Sequence, residues 1–317
     1  MNSSLGKSGC PAAVDIVIPY YRALSYLREA VQSIQSQTFT NFRLHIIDDS
    51  PNDLLAEEFI TNLDDPRISY TSNQINLGLN KTLNYAVEHC EADWVVFLGH
   101  DDCLLPEYLE SMLSVCEQYP TAAIVQSQTL VINNLGENYR PLVDQIKNLI
   151  QKSCTSSKKH KDSFNGDRAP TLINHRNAMK LIAIGNFLYF PLIMWKREFL
   201  TKATFRLDLL VTSDIEILFK IFLLKGDLLL INKVLGKYRR HNASLSENPA
   251  TKLNRLKEES STYSAMSKML KPEGFRSASF LCLLRPSTRL YSFYETAISL
   301  ITLHLHRAAQ FMWLGIR

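Results

Sequence analysis

The chain has 317 residues and 46% of them are hydrophobic, which is enough for one large α/β domain with an appendage. Lys and Arg number 35 against 31 Asp and Glu, and this net charge of +4 is too small to indicate nucleic-acid binding. The six cysteines lie far apart, without the spacing of a zinc site or the density of a disulfide scaffold, so we expect reduced thiols.

The first elements form a β-α-β unit behind a flexible N-terminus expected over residues 1–13. Residues 14–18 are β-branched and apolar and predict a strand that stops at Pro19. Leu24, Leu27, Val31 and Ile34 then recur at helical spacing, and residues 42–47 predict a second strand.

The alternation of strands and helices continues to about residue 127. We predict strands at 67–70, 94–98 and 122–127, with helices around 79–87 and from Pro106 to about 116. This pattern predicts a mixed, mostly parallel sheet flanked by helices.

The regular pattern fails between about 140 and 185. We expect a long mobile loop at 152–168, because it is rich in Lys, Ser, Asn and Asp. Order resumes with an apolar run at 187–195, a helix at 214–224 and strands at 228–231 and 234–238. A polar break at 246–257 gives a domain over 14–245 and a helical extension over 246–317.

Polar clusters follow three of the predicted strands. They are Pro19-Tyr20-Tyr21-Arg22, Asp48-Asp49-Ser50 and Gly99-His100-Asp101-Asp102. Ligands of open α/β sheets bind at the carboxyl ends of the strands, where these clusters should meet. A single Asp pair at a strand end could equally cap the next helix or turn.

The order and spacing of the clusters resemble the inverting family 2 glycosyltransferases, which have a GT-A fold. Their "IPxYN", "DDxS", "NxG" and "DxD"-type motifs correspond here to Ile18–Arg22, Asp48–Pro51, Asn76–Gly78 and His100–Asp102. The resemblance spans roughly residues 14–245. It implies a Rossmann-like domain that binds a nucleoside diphosphate sugar.

The resemblance also implies roles for the donor-site residues. Asp102 would bind Mg²⁺ or Mn²⁺, hard cations that take carboxylate and phosphate oxygens, and Asp101 would face the ribose or the donor sugar. The nucleobase pocket would contain Pro19, Tyr21 and one or both of Asp48 and Asp49, with Asn76 in the adjoining turn. Many relatives have a further acid where this chain has Gly99.

An inverting transferase needs a general base to deprotonate the acceptor hydroxyl. Relatives place an "ED" pair at the start of a late helix, and the Asp of this pair acts as the general base. Asp214 aligns with that Asp, while Ser213 replaces the usual Glu. Ser213 or Asp214 could instead be a helix cap, and Glu216 is the second candidate for the base.

The segment Tyr238-Arg239-Arg240-His241-Asn242 resembles the "YRxH" element of the family. Arginine binds phosphate bidentately and histidine adds a metal or phosphate contact, so Arg239, Arg240 and His241 are candidates for binding the diphosphate. In isolation such a segment would be a solvated turn.

Polar residues recur through the tail and leave a broad apolar face, which predicts one amphipathic helix. The polar residues are Arg289, Ser292, Glu295, Ser299, Thr302, His306 and Gln310, and the apolar ones include Phe293, Ile298, Ile301, Leu305, Met312 and Trp313. The helix would pack on the domain, pair with a second copy in a homodimer, or lie on a membrane surface.

Together these features predict a metal-dependent transferase that moves a sugar from a UDP-, GDP- or dTDP-linked donor to a saccharide or lipid-linked saccharide. Surface polysaccharide or glycolipid assembly is the expected setting. A degenerate nucleotide-sugar-binding or assembly module and a sugar nucleotidyltransferase are the alternatives. The latter lacks support because no Gly-rich, basic loop follows the first strand. Since no signal peptide and no apolar stretch of about 18 residues is found, we expect a cytoplasmic protein, soluble or peripheral on the inner face of the cytoplasmic membrane.

Overall fold

The computed structural model describes residues 12–51, 53–155, 169–241, 249–302 and 304–316. Nine strands form one mixed sheet. They are β1 (Val14–Tyr20), β2 (Phe42–Asp48), β3 (Ile68–Ser72), β4 (Trp94–Phe97), β5 (Cys103–Leu104), β6 (Ala122–Ile132), β7 (Thr171–Ile173), β8 (Ile193–Lys196) and β9 (Asp227–Arg239).

Twelve α-helices are found in the described ranges. They are α1 (Leu24–Gln35), α2 (Leu54–Thr61), α3 (Leu79–His89), α4 (Tyr108–Gln118), α5 (Leu142–Thr155), α6 (His175–Ile184), α7 (Arg197–Leu200), α8 (Ser213–Leu223), α9 (Pro249–Leu270), α10 (Arg276–Leu284), α11 (Pro286–Ile301) and α12 (Leu305–Ile316).

The strand order is β3-β2-β1-β4-β8-β6-β9-β5, and β7 also pairs with β9. The pairs β1–β2, β2–β3, β1–β4 and β6–β9 are parallel, whereas β8 runs antiparallel to both β4 and β6. The carboxyl ends of β1, β2, β4, β6 and β9 therefore share one edge. This architecture confirms the predicted sheet.

Helices cover both faces of the sheet because alternate strand residues point to opposite sides. Val17 of β1 belongs to the core that contains residues of α3, α6 and α8, while Ile16 and Ile18 pack with residues of α1 and α4. Strands buried on both faces read as continuous apolar runs, which is why β1 was predictable.

The region from 140 to 185 is more regular than its sequence indicates. It contains α5, β7 and α6, and the loop expected at 152–168 is wrong for residues 152–155, which are in α5. The rest of that predicted loop, 156–168, lies outside the described residues, as do residues 1–11 of the expected N-terminal segment.

The helical extension shares a core with the sheet domain. Tyr263 and Met266 of α9 and Cys282 of α10 pack in the same cluster as Phe219 of α8. The polar break expected at 246–257 is helical from Pro249. In the described part of the extension, α12 packs against α9 in a separate small cluster of Leu256, Phe311 and Leu314, with Tyr291 of α11 beside it.

The tail is two helices, not the single amphipathic helix expected, and its polar side faces inward. Ser292, Glu295 and Ser299 are buried, whereas Ile301 and Leu305 are exposed. The Ser292 hydroxyl donates to the carbonyl oxygen of Phe311, so the polar side of α11 faces α12.

Candidate active site

The three strand-end clusters and the segment after β9 meet at the carboxyl edge of the sheet. The rings of Tyr20 and His100 lie edge to face, 5.8 Å apart. The Nε2 atom of His241 lies 2.9 Å from the Oδ2 atom of Asp101, and the rings of His241 and Tyr26 are 5.3 Å apart. Asp101, predicted to face the ribose or the donor sugar, and His241, predicted to bind the diphosphate, are thus direct neighbours.

Asp101 and Asp102 point in different directions. Asp102 is 1% exposed, and its Oδ1 atom accepts a hydrogen bond of 2.8 Å from the backbone N–H of Arg239. Burial, reinforced by the charge of Asp101, holds the pKa of Asp102 well above its ordinary value. The carboxyl group of Asp102 therefore ties the end of β4 to the end of β9.

Asp101 has the electrostatics of an ionised group. Burial works to raise its pKa, but the hydrogen bond with His241 and the neighbouring histidines outweigh it, and the pKa lies below its ordinary value. Of this acidic pair, Asp101 is the member that faces His241.

Gly99 is required by the packing of the two carboxyl groups. A Cβ atom at this position would overlap the Oδ2 atom of Asp102 and would lie 3.0 Å from the Oδ1 atom of Asp101. The acid that relatives carry here would not fit beside these side chains as they lie. Gly99 is thus a close-packing position in this chain.

A divalent cation fits the pair Asp101 and His241. A carboxylate and an imidazole that face each other at 2.9 Å can both turn their acceptor atoms to one ion. Across the described ranges, no three His, Cys, Asp or Glu side chains form a metal-binding group. The protein would therefore supply few ligands and leave the remaining positions to phosphate oxygens.

The carboxyl groups of Asp48 and Asp49 accept hydrogen bonds from nearby backbone N–H groups. Asp48 accepts from the N–H of Ser50 over 2.7 Å and from the Tyr70 hydroxyl. Asp49 accepts from the N–H groups of Leu77 (2.7 Å) and Gly78 (2.8 Å), which lead into α3. These bonds match the capping alternative, so a nucleobase contact by either Asp stays a prediction.

The mouth of the predicted nucleobase pocket is open and its backbone is strained. Tyr21 is 45% exposed, and the consecutive residues Arg22 and Ala23 both have left-handed φ angles, 58° and 64°. The N–H of Arg22 donates to the Ser50 hydroxyl over 2.7 Å, which ties β1 to β2. Pro19 is half-buried, and Asn76 is exposed and donates to the carbonyl oxygen of Asp49 over 3.2 Å.

The two arginines after β9 hold protein groups. Arg239 is 2% exposed and donates to the carbonyl oxygen of Asp101 over 2.9 Å, and it also pairs with Glu29. Arg240 donates to Asp144 of α5 over 3.0 Å. Both guanidinium groups thus position neighbouring elements, and their contact with a diphosphate stays a prediction.

Asp214 lies in the first turn of α8 and is partly exposed. Its Oδ2 atom accepts a hydrogen bond of 2.8 Å from the side-chain amide of Asn186, and its Oδ1 atom accepts from the N–H of Ile215 over 2.8 Å. Burial raises the pKa of Asp214, against the opposing charges of Arg255 and Lys147. It is a carboxyl group of raised basicity at an accessible position.

Glu216 has a different environment. It is 1% exposed and pairs with Lys220 at 2.9 Å. Burial raises its pKa, and the ion pair works against this shift. Ser213 is also buried, and the N-cap residue is Thr212. An acceptor hydroxyl would reach Asp214 more easily than Glu216.

Helix α5 was not predicted from the sequence. It contacts both Arg240, at the end of β9, and the segment next to Asn186, which binds Asp214. Its residues Asp144, Lys147 and Gln151 share one side of the helix and run along the segment 187–189. Asp144 accepts from the Tyr189 hydroxyl (3.1 Å), Lys147 donates to the carbonyl oxygen of Leu188 (3.4 Å), and Gln151 donates to that of Phe187 (3.2 Å).

The buried position of Lys147 among these contacts changes its pKa. Burial lowers the pKa of Lys147 to about 8, and the charge of Arg255 acts in the same direction. The polar period of α5 was a signal that could have identified the helix. Nothing in the sequence around Asn186 indicates its contact with Asp214.

Helix α9 positions the start of α8. The carboxyl group of Glu258 accepts from the N–H groups of Val211 and Thr212, both at 2.8 Å, and from the Thr212 hydroxyl at 2.9 Å. Burial works to raise the pKa of Glu258, but these backbone bonds outweigh it and the pKa is lowered. The extension thus fixes the loop that leads into Asp214.

The mixed, mostly parallel sheet flanked by helices is a GT-A fold. The sequence profile of glycosyl transferase family 2 matches residues 15–172, from β1 to β7. The chain belongs to this family. Asp214 and His241 lie beyond the matched segment.

Two glycosyltransferases, each described as uncharacterized, are similar in sequence. One, from Methanocaldococcus jannaschii, is 32% identical over 134 residues, which are 42% of this chain and 46% of that protein. The other, from Rickettsia typhi, is 25% identical over 81% of this chain and 72% of that protein. The match thus spans less than half the length of the archaeal relative.

Two solved structures share the fold. S. aureus TarS residues 1–349 in complex with UDP-GlcNAc has a TM-score of 0.69 and 15% identity, covering 95% of this chain and 79% of that one. The mannosyltransferase PcManGT from Pyrobaculum calidifontis, in complex with GDP-Man and Mn²⁺, has a TM-score of 0.62 and 13% identity, covering 97% and 87%.

Proposed function

We propose that this glycosyltransferase moves a sugar from a nucleoside diphosphate sugar to an acceptor hydroxyl, with inversion at the anomeric carbon. The observation that carries the proposal is the environment of Asp214. Its carboxyl group is partly exposed, is held by Asn186 at 2.8 Å, and has a pKa raised by burial. Such a group can take the acceptor proton during attack.

In this proposal the acceptor attacks from the side of the donor that faces Asp214. Contacts through Arg240, Asp144 and Tyr189 lead from the Asp101–His241 pair to the segment that holds Asp214. A donor whose diphosphate lies at Asp101 and His241 would expose its anomeric carbon toward the Asp214 side. Attack from that side opposes the leaving diphosphate, and this geometry produces inversion.

We assign the metal to Asp101 and His241, and not to Asp102 as the sequence predicts, because the Asp102 carboxyl group is buried against Arg239. Bound Mg²⁺ or Mn²⁺ would neutralise the charge that develops on the leaving diphosphate. PcManGT binds Mn²⁺ together with GDP-Man, which supports a divalent ion in this fold. Asp102 would keep β4 and β9 together beneath the pair.

The donor is a UDP-, GDP- or dTDP-sugar in this proposal. TarS binds UDP-GlcNAc and PcManGT binds GDP-Man, so the shared fold accepts both uracil and guanine nucleotides. The exposed Tyr21 ring and the Asn76 amide border the open end of β1 and β2, where a base would enter. Uracil and guanine both have N–H groups that could donate hydrogen bonds to a carboxylate or amide oxygen.

The acceptor is a saccharide or lipid-linked saccharide, and the expected setting is surface polysaccharide or glycolipid assembly at the cytoplasmic side. Gly99 leaves room for the carboxyl groups of Asp101 and Asp102, which supports an ordered acidic site despite this departure from the family pattern. Pairing with a second copy or a membrane surface through the terminal helices remains part of the proposal.

A donor screen tests this function. The full chain is mixed with UDP-, GDP- and dTDP-sugars, with and without Mn²⁺, and thermal unfolding and nucleoside diphosphate release are measured. One donor should raise the unfolding temperature in a metal-dependent way and should be hydrolysed slowly. Binding without any hydrolysis or transfer would support the binding module, and pyrophosphate release from a nucleoside triphosphate would support a nucleotidyltransferase.

A further inference from the structure

The hairpin formed by α11 and α12 packs through small and polar residues. Ser292 and Ser299 of α11 are buried, and Thr296 donates to the carbonyl oxygen of Ser292 over 2.8 Å. At Gly315 of α12, a Cβ atom would come within 3.3 Å of the Phe293 ring. Phe311 and Leu314 of α12 are buried there as well, so the hairpin is closely packed and many of its other apolar side chains remain exposed.

The outward sides of α10, α11 and α12 are apolar. The most exposed large side chains are Ile301 (81%), Leu290 (68%), Leu305 (67%), Ile316 (67%), Phe280 (60%), Leu283 (54%) and Trp313 (52%). Of 32 exposed large hydrophobic residues in the described ranges, 14 lie between Met269 and Ile316. Single exposed hydrophobic residues are ordinary, but this concentration marks an interaction surface.

The positive charge of the protein is concentrated in the same region. Residues 249–317 contain ten Lys and Arg against four Asp and Glu, a net charge of +6. Residues 1–248 contain 25 against 27, a net charge of −2. The exposed basic residues here are Lys268 at the end of α9, Lys271 in the turn that follows, Arg276 of α10 and Arg307 of α12. The partner of this surface should therefore be apolar and anionic.

We propose that the outward sides of α10–α12 bind the surface of a bilayer that contains anionic lipids. The apolar side chains enter the boundary between headgroups and acyl chains, while the basic side chains contact the headgroups. The helices lie in the interface, because none in the described part of the chain is long and apolar enough to cross a membrane. A second copy would bring the same positive charge to the contact, which opposes a symmetric pair.

Membrane binding by α10–α12 does not depend on the proposed transfer reaction, but it would affect how the acceptor reaches the site. Glu258 of α9 holds the loop before α8, so the helices that would contact lipid are connected to the segment that carries Asp214. A lipid-linked acceptor held in the same bilayer would meet the site at the membrane surface.

Cosedimentation with vesicles tests the surface. The full chain should bind vesicles of phosphatidylcholine mixed with phosphatidylglycerol, should bind phosphatidylcholine vesicles more weakly, and should lose binding as salt rises. Leu290→Glu, Ile301→Glu and Leu305→Glu combined should weaken binding at least tenfold, ~1.4 kcal/mol or more. The matched control combines Leu54→Glu, Leu55→Glu and Leu135→Glu, which alter equally exposed residues elsewhere and should leave binding intact.

Trp313 gives a second readout that does not depend on the triple variant. It is 52% exposed, and its fluorescence should shift to the blue with anionic vesicles and should be quenched by brominated lipids. Thermal unfolding confirms that the variants are folded. Absence of wild-type binding, or equal binding by the triple variant and its control, would overturn the proposal. A wild-type dimer in light scattering that the triple variant dissociates would also overturn it, by assigning the surface to a second copy.

Discussion

The side-chain amide of Asn186 donates a hydrogen bond of 2.8 Å to the Oδ2 atom of Asp214, while its own carbonyl oxygen accepts from the N–H of Leu188 over 3.0 Å. Asn186 therefore fixes the Asp214 carboxyl group relative to the segment that α5 braces. A hydrogen bond to a carboxylate stabilises the ionised form, which partly opposes the effect of burial. Asn186 is a positioning residue for the proposed base.

Replacing Asn186 with Leu should shift the pH dependence of transfer. Since the ionised form of Asp214 loses a donor, its pKa should rise further, and the acid limb of kcat should move up by about one pH unit. The control is Asn84→Leu, which removes bonds to the backbone of Phe205 and should lower stability without moving the limb. An unchanged limb in Asn186→Leu would assign Asn186 a structural role alone.

The two neighbouring acids should respond differently to substitution. Asp101→Asn should abolish most of the Mn²⁺-dependent part of donor affinity, because the charge facing His241 is lost. Asp102→Asn should retain it, because the neutral amide can still accept from the N–H of Arg239. Calorimetric titration of donor with and without Mn²⁺ measures both, and loss of metal dependence in Asp102→Asn alone would restore the sequence-based assignment.

Gly99→Ala should destabilise the protein by about 1–3 kcal/mol, because the new methyl group displaces the carboxyl groups of Asp101 and Asp102. Donor affinity in Mn²⁺ should fall with it. Gly274→Ala is a useful contrast, since that glycine has φ of +81° and nothing within 4 Å of its Cβ position, so its cost comes from the backbone alone. Denaturant unfolding measures both, and full metal dependence in Gly99→Ala would contradict the packing argument.

Glu258→Gln should lower stability by about 1–2 kcal/mol at neutral pH, because a charged acceptor of several backbone hydrogen bonds becomes neutral. The folded pKa is below the ordinary 4.5, so the carboxylate's contribution is complete above that pH and is lost as pH falls through the lower folded value. The difference between wild type and variant should shrink in acid. The exposed Glu273→Gln is the control, and a pH-independent difference would argue against the cap.

Much of the sheet was predictable because strands buried on both faces leave an unambiguous apolar signal. The run from Val14 and the run from Trp94 are of this kind. Helix α5 has the period of an amphipathic helix but buries its polar side: Asp144 and Gln151 are buried, while Leu142 and Leu149 are exposed. The sequence shows the period, but not which side is buried, and the same holds for α11 in the tail.

The site was predictable as a place but not in its detail. Strand ends bring Asp101 and His241 to one edge, and parallel topology is sufficient for that. The resemblance assigns the metal to Asp102 and the ribose or donor sugar to Asp101, but which of two consecutive acids faces the ligand depends on local backbone direction, which no sequence pattern encodes. The contact of Asn186 with Asp214 joins α8 to the loop after α6, and no local pattern encodes such a contact.

The central claim, that Asp214 is the general base, is tested most directly by comparing Asp214→Asn with Glu216→Gln in a transfer assay. Asn caps a helix about as well as Asp, so a mere capping role would leave turnover intact. We expect Asp214→Asn to keep its fold and donor affinity but to lose transfer by at least ~10²-fold, with Glu216→Gln close to wild type. Near-normal transfer by Asp214→Asn, with the loss in Glu216→Gln instead, would contradict the assignment.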